Sequence, residues 1–214
     1  MALAGCAGSP PRRAPLTAEA HNDLGVLLFG RGDARGAVRE FERALTLRPG
    51  WARALVNLGD ARLALEEIRP AIAAYEEALA AAPDDLGTAN NLAWALLQDG
   101  ERWPEAEPLI RRALARDPEP RGYYLDTLGV ALLRRGDLHG ALEALRAALG
   151  DPAVGQGPAR RLVLRHLAEA HARLGDAAGA ARCRALLDAP TGAEASPARE
   201  PPERRSVGDT AGVC

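Results

Sequence analysis

At 214 residues the chain is long enough for a domain with a real core, and its formal net charge of −2 gives no reason to expect nucleic acid or an acidic surface as partner. Only 4% of residues are aromatic while Ala, Leu, Arg and Glu dominate, a composition suited to helices that approach one another through small side chains. No apolar run nears the roughly 20 residues that cross a bilayer, and all 27 basic residues are Arg, which fits the coding bias of a GC-rich genome better than a phosphate-binding device.

The chain opens on M-A-L-A-G-C. Residues 3–6 resemble the tetrad that closes the signal peptide of bacterial prolipoproteins, whose Cys receives the lipid. Cys6 is followed by "AGSPPRRAP", where the prolines favour an extended linker, so residues 1–16 have the layout of a lipobox-like start and a flexible tether. Two readings stand. In one, a start codon upstream of Met1 supplies the charged and apolar regions of a signal peptide, and the protein is lipid-anchored through Cys6 in the bacterial cell envelope. In the other, an Ala- and Gly-rich N-terminus produces the tetrad by chance and the protein is cytoplasmic.

From residue 17 the same skeleton recurs five times. It begins at Leu24-Gly25, Leu58-Gly59, Leu92-Ala93, Leu128-Gly129 and Leu167-Ala168, spaced by 34, 34, 36 and 39 residues. Eight residues after each Leu stand Gly32, Glu66, Gly100, Gly136 and Gly175, where a first helix should end in the left-handed conformation that Gly adopts without strain. Then come Ala37, Ala71, Ala106, Ala141 and Ala180, small enough for two helices of a hairpin to approach closely. A larger apolar residue follows at Phe41, Tyr75, Ile110 and Leu145, then Ala44, Ala78, Ala113 and Ala148. Pro49, Pro83, Pro118 and, slightly early, Pro152 stop the second helices by removing a donor.

This skeleton resembles the tetratricopeptide repeat, a helix–turn–helix unit of about 34 residues. The resemblance implies an all-α, right-handed superhelical solenoid of five repeats over residues 17–188, at about 18–51, 52–85, 86–121, 122–158 and 159–188. Three places depart from it: an insertion around "DGERWPEAEP", a Gly-rich loop "GDPAVGQGP", and Arg184 in the large apolar slot of the fifth repeat. The last suits a terminal helix, which has no following neighbour and needs a polar outer face. Residues 189–214 are rich in Pro, Gly, Ala and charge and read as a disordered tail.

Catalytic chemistry is absent from the pattern, and the chain reads as no enzyme. His21, His139, His166 and His171 form no metal-ligand grouping, so no metal or cofactor is expected. No G-x-S-x-G, P-loop or Rossmann glycine pattern occurs. The pairs Asp84-Asp85 and Glu66-Glu67 read as helix starts and solvated faces. Cys183 lies within the last helix and Cys214 ends the chain; neither has an evident disulfide partner.

What remains is a surface. In tetratricopeptide arrays the first helix of each repeat lines the concave side, so the resemblance implies a groove formed by residues flanking the signature leucines. Those singled out are Asn22, Asp23, Asn57, Asp60, Asn90, Asn91, Trp94, Asp126, Arg165 and Glu169. An Asn amide both donates and accepts, which lets it clamp the backbone of an extended segment whatever its sequence. Asn57 and Asn91, one repeat apart, are similar to the start of the asparagine ladder of some arrays, although Asn is also simply common at this position of the fold. Arrays that grip a chaperone C-terminus use Lys and Arg beside Asn, and only Arg53 offers that here. The expected function is therefore a non-catalytic scaffold that binds a protein or peptide segment, with a role in envelope, pilus or secretion assembly if Cys6 is acylated. The alternatives are a soluble cytoplasmic adaptor and the substrate-presenting subunit of a separate enzyme such as a glycosyltransferase.

Overall fold

Each signature Leu falls in the interior of a helix, and each Ala thirteen or fourteen residues later lies near the start of the helix that packs back against it. A computed structural model of the chain describes residues 15–116, 122–154 and 158–189. The first hairpin joins α1 (Ala18–Gly30) to α2 (Ala34–Leu47), and the second joins α3 (Ala52–Ala64) to α4 (Ile68–Ala81). Then follow α5 (Leu86–Gln98) with α6 (Ala106–Arg116), α7 (Gly122–Arg135) with α8 (Leu138–Gly150), and α9 (Pro158–Leu174) with α10 (Ala177–Asp188). The described residues are all-α, without a strand, and form two compact units, one ending at Ala82 and one beginning at Pro83. The first holds α1 to α4 and the second α5 to α10. The Cys6 tetrad and its tether through residue 14, Pro118, residues 190–214 and Cys214 lie outside the described residues.

Small residues set the spacing within each hairpin. Ala37, Ala71, Ala106, Ala141 and Ala180 are all buried, as are Phe41, Tyr75, Ile110 and Leu145. The Gly of the Leu-Gly pair completes the fit, because the large side chain of the second helix lies where a Cβ would go. A Cβ on Gly59 would stand 2.5 Å from Tyr75 Cε1, and one on Gly129 would stand 2.5 Å from Leu145 Cγ; Gly25 faces Phe41 in the same way. Burying a side chain of the Phe41 or Leu145 class stabilises by about 1.5–3 kcal/mol, and that gain depends on the missing methyl opposite. In the first unit Ala37 and Phe41 continue into a cluster with Leu58, Ala61 and Ala74, which ties the second hairpin to the first.

The turns repeat as closely as the helices. Gly32, Gly136 and Gly175 have φ of 83°, 90° and 84°. The next residue, Asp33, Asp137 or Asp176, caps the second helix by accepting a hydrogen bond from the N–H of Gly36, Gly140 or Gly179 at 2.8, 3.0 and 2.8 Å. The carboxylate sits so close that a Cβ on any of these three glycines would collide with it. The second hairpin keeps the backbone path but not the residues. Glu66 holds φ 61°, Glu67 gives no side-chain cap, and the third residue on is Pro70, which has no N–H to offer.

Gly100 departs from the expectation. Its φ is not in the left-handed region: α5 ends at Gln98 and the inserted residues fold their own turn. Asp99 Oδ1 accepts from the N–H groups of Glu101 and Arg102, both at 2.8 Å, and a 3₁₀ turn over Trp103–Glu105 leads into α6. Arg134, from the end of α7, donates to the carbonyls of Leu97 and Asp99 at 2.6 and 3.2 Å, satisfying acceptors that the helix end leaves open.

Candidate functional site

The expected groove residues divide by what their side chains touch. In the first unit Asn22 is buried on α1 and its Oδ1 accepts from Asn57 Nδ2 on α3 at 2.8 Å. Asp60 is half-buried on α3 and accepts from the Tyr75 hydroxyl at 2.5 Å. Burial pushes the Asp60 carboxyl above the ordinary carboxylate range, with the Tyr75 hydrogen bond pulling the other way, and burial beside Asp60 raises the Tyr75 phenol. Asp23 and Arg53 are exposed. His21 donates to Glu40 at 2.6 Å, and Glu40 also accepts from Arg43 at 2.5 Å, a buried carboxylate held between two partners.

In the second unit three first helices are joined by one cluster. His166 on α9 is buried and its Nδ1 donates to Asp126 on α7 at 2.7 Å, while the ring of Trp94 on α5 lies 6.0 Å from the His166 ring at 44°. Trp94 is half-buried, so part of the indole remains open to solvent. Asn91, three residues before Trp94 on α5, is half-buried, and Arg165 and Glu169, on either side of His166 in the α9 sequence, are exposed. Glu169 is 3.7 Å from Arg173. Tyr123 on α7 is exposed and packs edge-on against Tyr124, with ring centroids 4.4 Å apart.

Three of the expected groove residues are corrected by this geometry. Asn22, Asn90 and Asp126 are buried and do not face solvent. Each stands two residues before a signature Leu, a position that lies about 200° around the helix from it. Side chains there meet the residue just before the next signature Leu: Asn22 meets Asn57, and Asp126 meets His166. The third such position is Asn90, whose corresponding residue is Thr127. The Thr127 hydroxyl bonds back to the Tyr123 carbonyl at 3.0 Å, and Asn90 Oδ1 is buried without a hydrogen-bond partner. Asn57 is likewise committed to Asn22 instead of standing free as the first rung of a ladder. The bonds within the chain were missed from sequence, yet a signal existed: polar pairs at those two positions of consecutive repeats.

Among the described residues no group of three or more His, Cys, Asp or Glu side chains is placed to hold a metal ion, and no helix is long and apolar enough to cross a membrane. Asp85 caps α5 through the N–H groups of Gly87 and Thr88, and Asp84 pairs with Arg116.

Comparison with known proteins agrees with the repeat. The tetratricopeptide repeat family pattern matches residues 12–52, 22–85, 56–120, 90–153 and 127–194. Protein FlbA of Caulobacter vibrioides is 37% identical over 123 residues, 55% of this chain; the match spans only 20% of FlbA. Among solved structures, the tetratricopeptide repeat protein TTC0263 of Thermus thermophilus has a TM-score of 0.66 at 24% identity, covering 80% of this chain and 90% of its own. PilW, a type IV pilus biogenesis factor, has a TM-score of 0.69 at 21% identity, covering 81% of this chain and 77% of its own. With the family pattern matched along most of its length and every described hairpin built on the same small-residue skeleton, the chain belongs to the tetratricopeptide repeat family.

Proposed function

We propose that the chain is a non-catalytic scaffold that binds a protein segment on the face shared by α5, α7 and α9. The observation that carries this is the Trp94–His166–Asp126 cluster. Its hydrogen bond and ring contact fix the indole while leaving part of it open, and a rigid, half-exposed Trp is the side chain most often found at the energetic centre of a protein interface. Asn91 on α5 and the exposed Arg165 and Glu169 on α9 are the polar residues for its rim, with an amide suited to the main chain of an extended segment. The test is site-specific photo-crosslinking. A benzophenone side chain in place of Glu169 should capture a discrete partner in native extract, whereas the same group in place of Glu143, exposed on α8, should not. Capture from Glu143 alone would move the site to the second helices.

The tetrad L-A-G-C supports a second component of the proposal, a lipid anchor at Cys6 that holds the scaffold in a bacterial envelope, where assembly of pili or secretion machinery takes place. PilW, similar in fold, is a pilus biogenesis factor, which makes the same setting worth testing here. Mass spectrometry of the mature N-terminus decides it. A diacylglyceryl group on Cys6 supports the anchor, and an intact Met1 on protein from the cytosol removes it in favour of a cytoplasmic adaptor.

A further inference from the structure

The face of α1 that looks away from α2 and α3 has no partner among the described residues. Leu27, three residues after the first signature Leu, is 49% exposed. The residues at the same place in the four later repeats are Ala61, Ala95, Ala131 and Ala170, at 0%, 0%, 1% and 0%. A position that elsewhere is a small residue packed against a neighbouring helix is here a large apolar side chain in solvent. Four residues to either side, on the same exposed face, stand Asp23 and Arg31. Neither makes an ion pair or a side-chain hydrogen bond among the described residues, although nearby charges such as Glu19 with Arg48 and Arg62 with Glu42 are paired.

We propose that this face binds a second copy of the chain through an antiparallel pairing of two α1 helices about a two-fold axis at Leu27. The charge pattern selects this occupant. An acid four residues before the apolar centre and a base four residues after it are self-complementary only when the second helix runs in the opposite direction. The two-fold then places Leu27 on its own counterpart, Asp23 on Arg31 of the other copy, and Arg31 on the other Asp23. At 1.5 Å per residue each charge, Asp23 within α1 and Arg31 at its C-cap, lies about 6 Å along the helix from the axis, a little more than one helix turn either side. Ala20 and Gly30, on the same face, allow the backbones to approach. One helix pair buries less than a standard interface, so the dimer forms at micromolar concentrations and exchanges readily.

Sedimentation and light scattering of the full chain read the outcome. At about 100 μM and low ionic strength the mass should be twice that of the chain, falling toward monomer as salt screens the paired charges. Leu27→Glu should raise the dissociation constant at least about tenfold without changing the circular dichroism, since the side chain is exposed in the monomer. Arg31→Asp alone and Asp23→Arg alone should each be monomeric, while their equimolar mixture should recover a heterodimer in which every pairing is again complementary. A monomer under all conditions overturns the proposal, as does a dimer indifferent to all three substitutions. A monomer destabilised by Leu27→Glu also overturns it, because another segment of the same chain then covers this face.

Discussion

Glu66 occupies a backbone position that three other hairpins give to Gly, and replacing it with Gly isolates one physical effect. Its φ is 61°, against 83°, 90° and 84° at Gly32, Gly136 and Gly175. The side chain is exposed and makes no ion pair among the described residues, so little contact is lost with it. An L-residue in the left-handed conformation is strained by about 1–2 kcal/mol, and the greater freedom of Gly in the unfolded chain returns about 0.4–1 kcal/mol of that. Glu66→Gly should therefore stabilise the protein by about 0.5–1 kcal/mol, a rise in Tm of about 1–4 °C for a chain of this length. Urea unfolding followed by circular dichroism measures it, with the slope against denaturant unchanged. Gly136→Glu should cost about as much as Glu66→Gly gains. An unchanged or lowered midpoint for Glu66→Gly would mean that the side chain supports the turn in a way its geometry does not show. The adjoining Glu67→Asp should stay within about 0.5 kcal/mol of wild type, since Pro70 has no N–H for the shorter carboxylate to cap.

Other substitutions test the packing and the polar contacts. Ala71→Leu should cost about 1–3 kcal/mol by overpacking the second hairpin, whereas Ala64→Leu, exposed on α3, should leave the melting temperature unchanged. Asn57→Ala should destabilise by about 1–3 kcal/mol because the buried Asn22 amide loses its partner, and a variant that unfolds like wild type would show that the bond is dispensable. Asp60 has a carboxyl raised by burial, so its contribution to stability is fully present below its unfolded pKa and is lost as pH rises through the raised folded value. Asp60→Asn keeps an acceptor for the Tyr75 hydroxyl without the charge and should gain on wild type as pH rises above the ordinary carboxylate range, as unfolding midpoints across a pH series would show.

The repeat was legible because its determinants are local and recur: a Leu followed by Gly or Ala, an Ala thirteen or fourteen residues on and, in four of the five copies, an aromatic or aliphatic residue one turn later. Each has one steric job, and five copies in register leave no other fold. The third turn was less legible, since "DGERWPEAEP" keeps Gly100 in place while Asp99 and Arg134 take over the work of ending the helix. The site was legible only in part. Asn22, Asn90 and Asp126 are polar residues on first helices, which suggested a groove, but all three are buried, and sequence alone does not show that Asn22 and Asp126 have found partners within the chain. Trp94 was singled out as a groove residue from its place beside a signature Leu; its contact with His166, two repeats away, depends on how the helices stack and has no local signature.

The exposed part of Trp94 is the proposed anchor of a bound protein segment. Titration calorimetry of the crosslinked partner's segment, once identified, against wild type, Trp94→Ala and Glu143→Ala tests it most directly. Truncating a Trp at an interface centre costs about 2–4 kcal/mol, so Trp94→Ala should weaken binding by about thirtyfold or more while Glu143→Ala binds as wild type does. Equal affinity for wild type and a folded Trp94→Ala variant would mean that Trp94 is not the anchor.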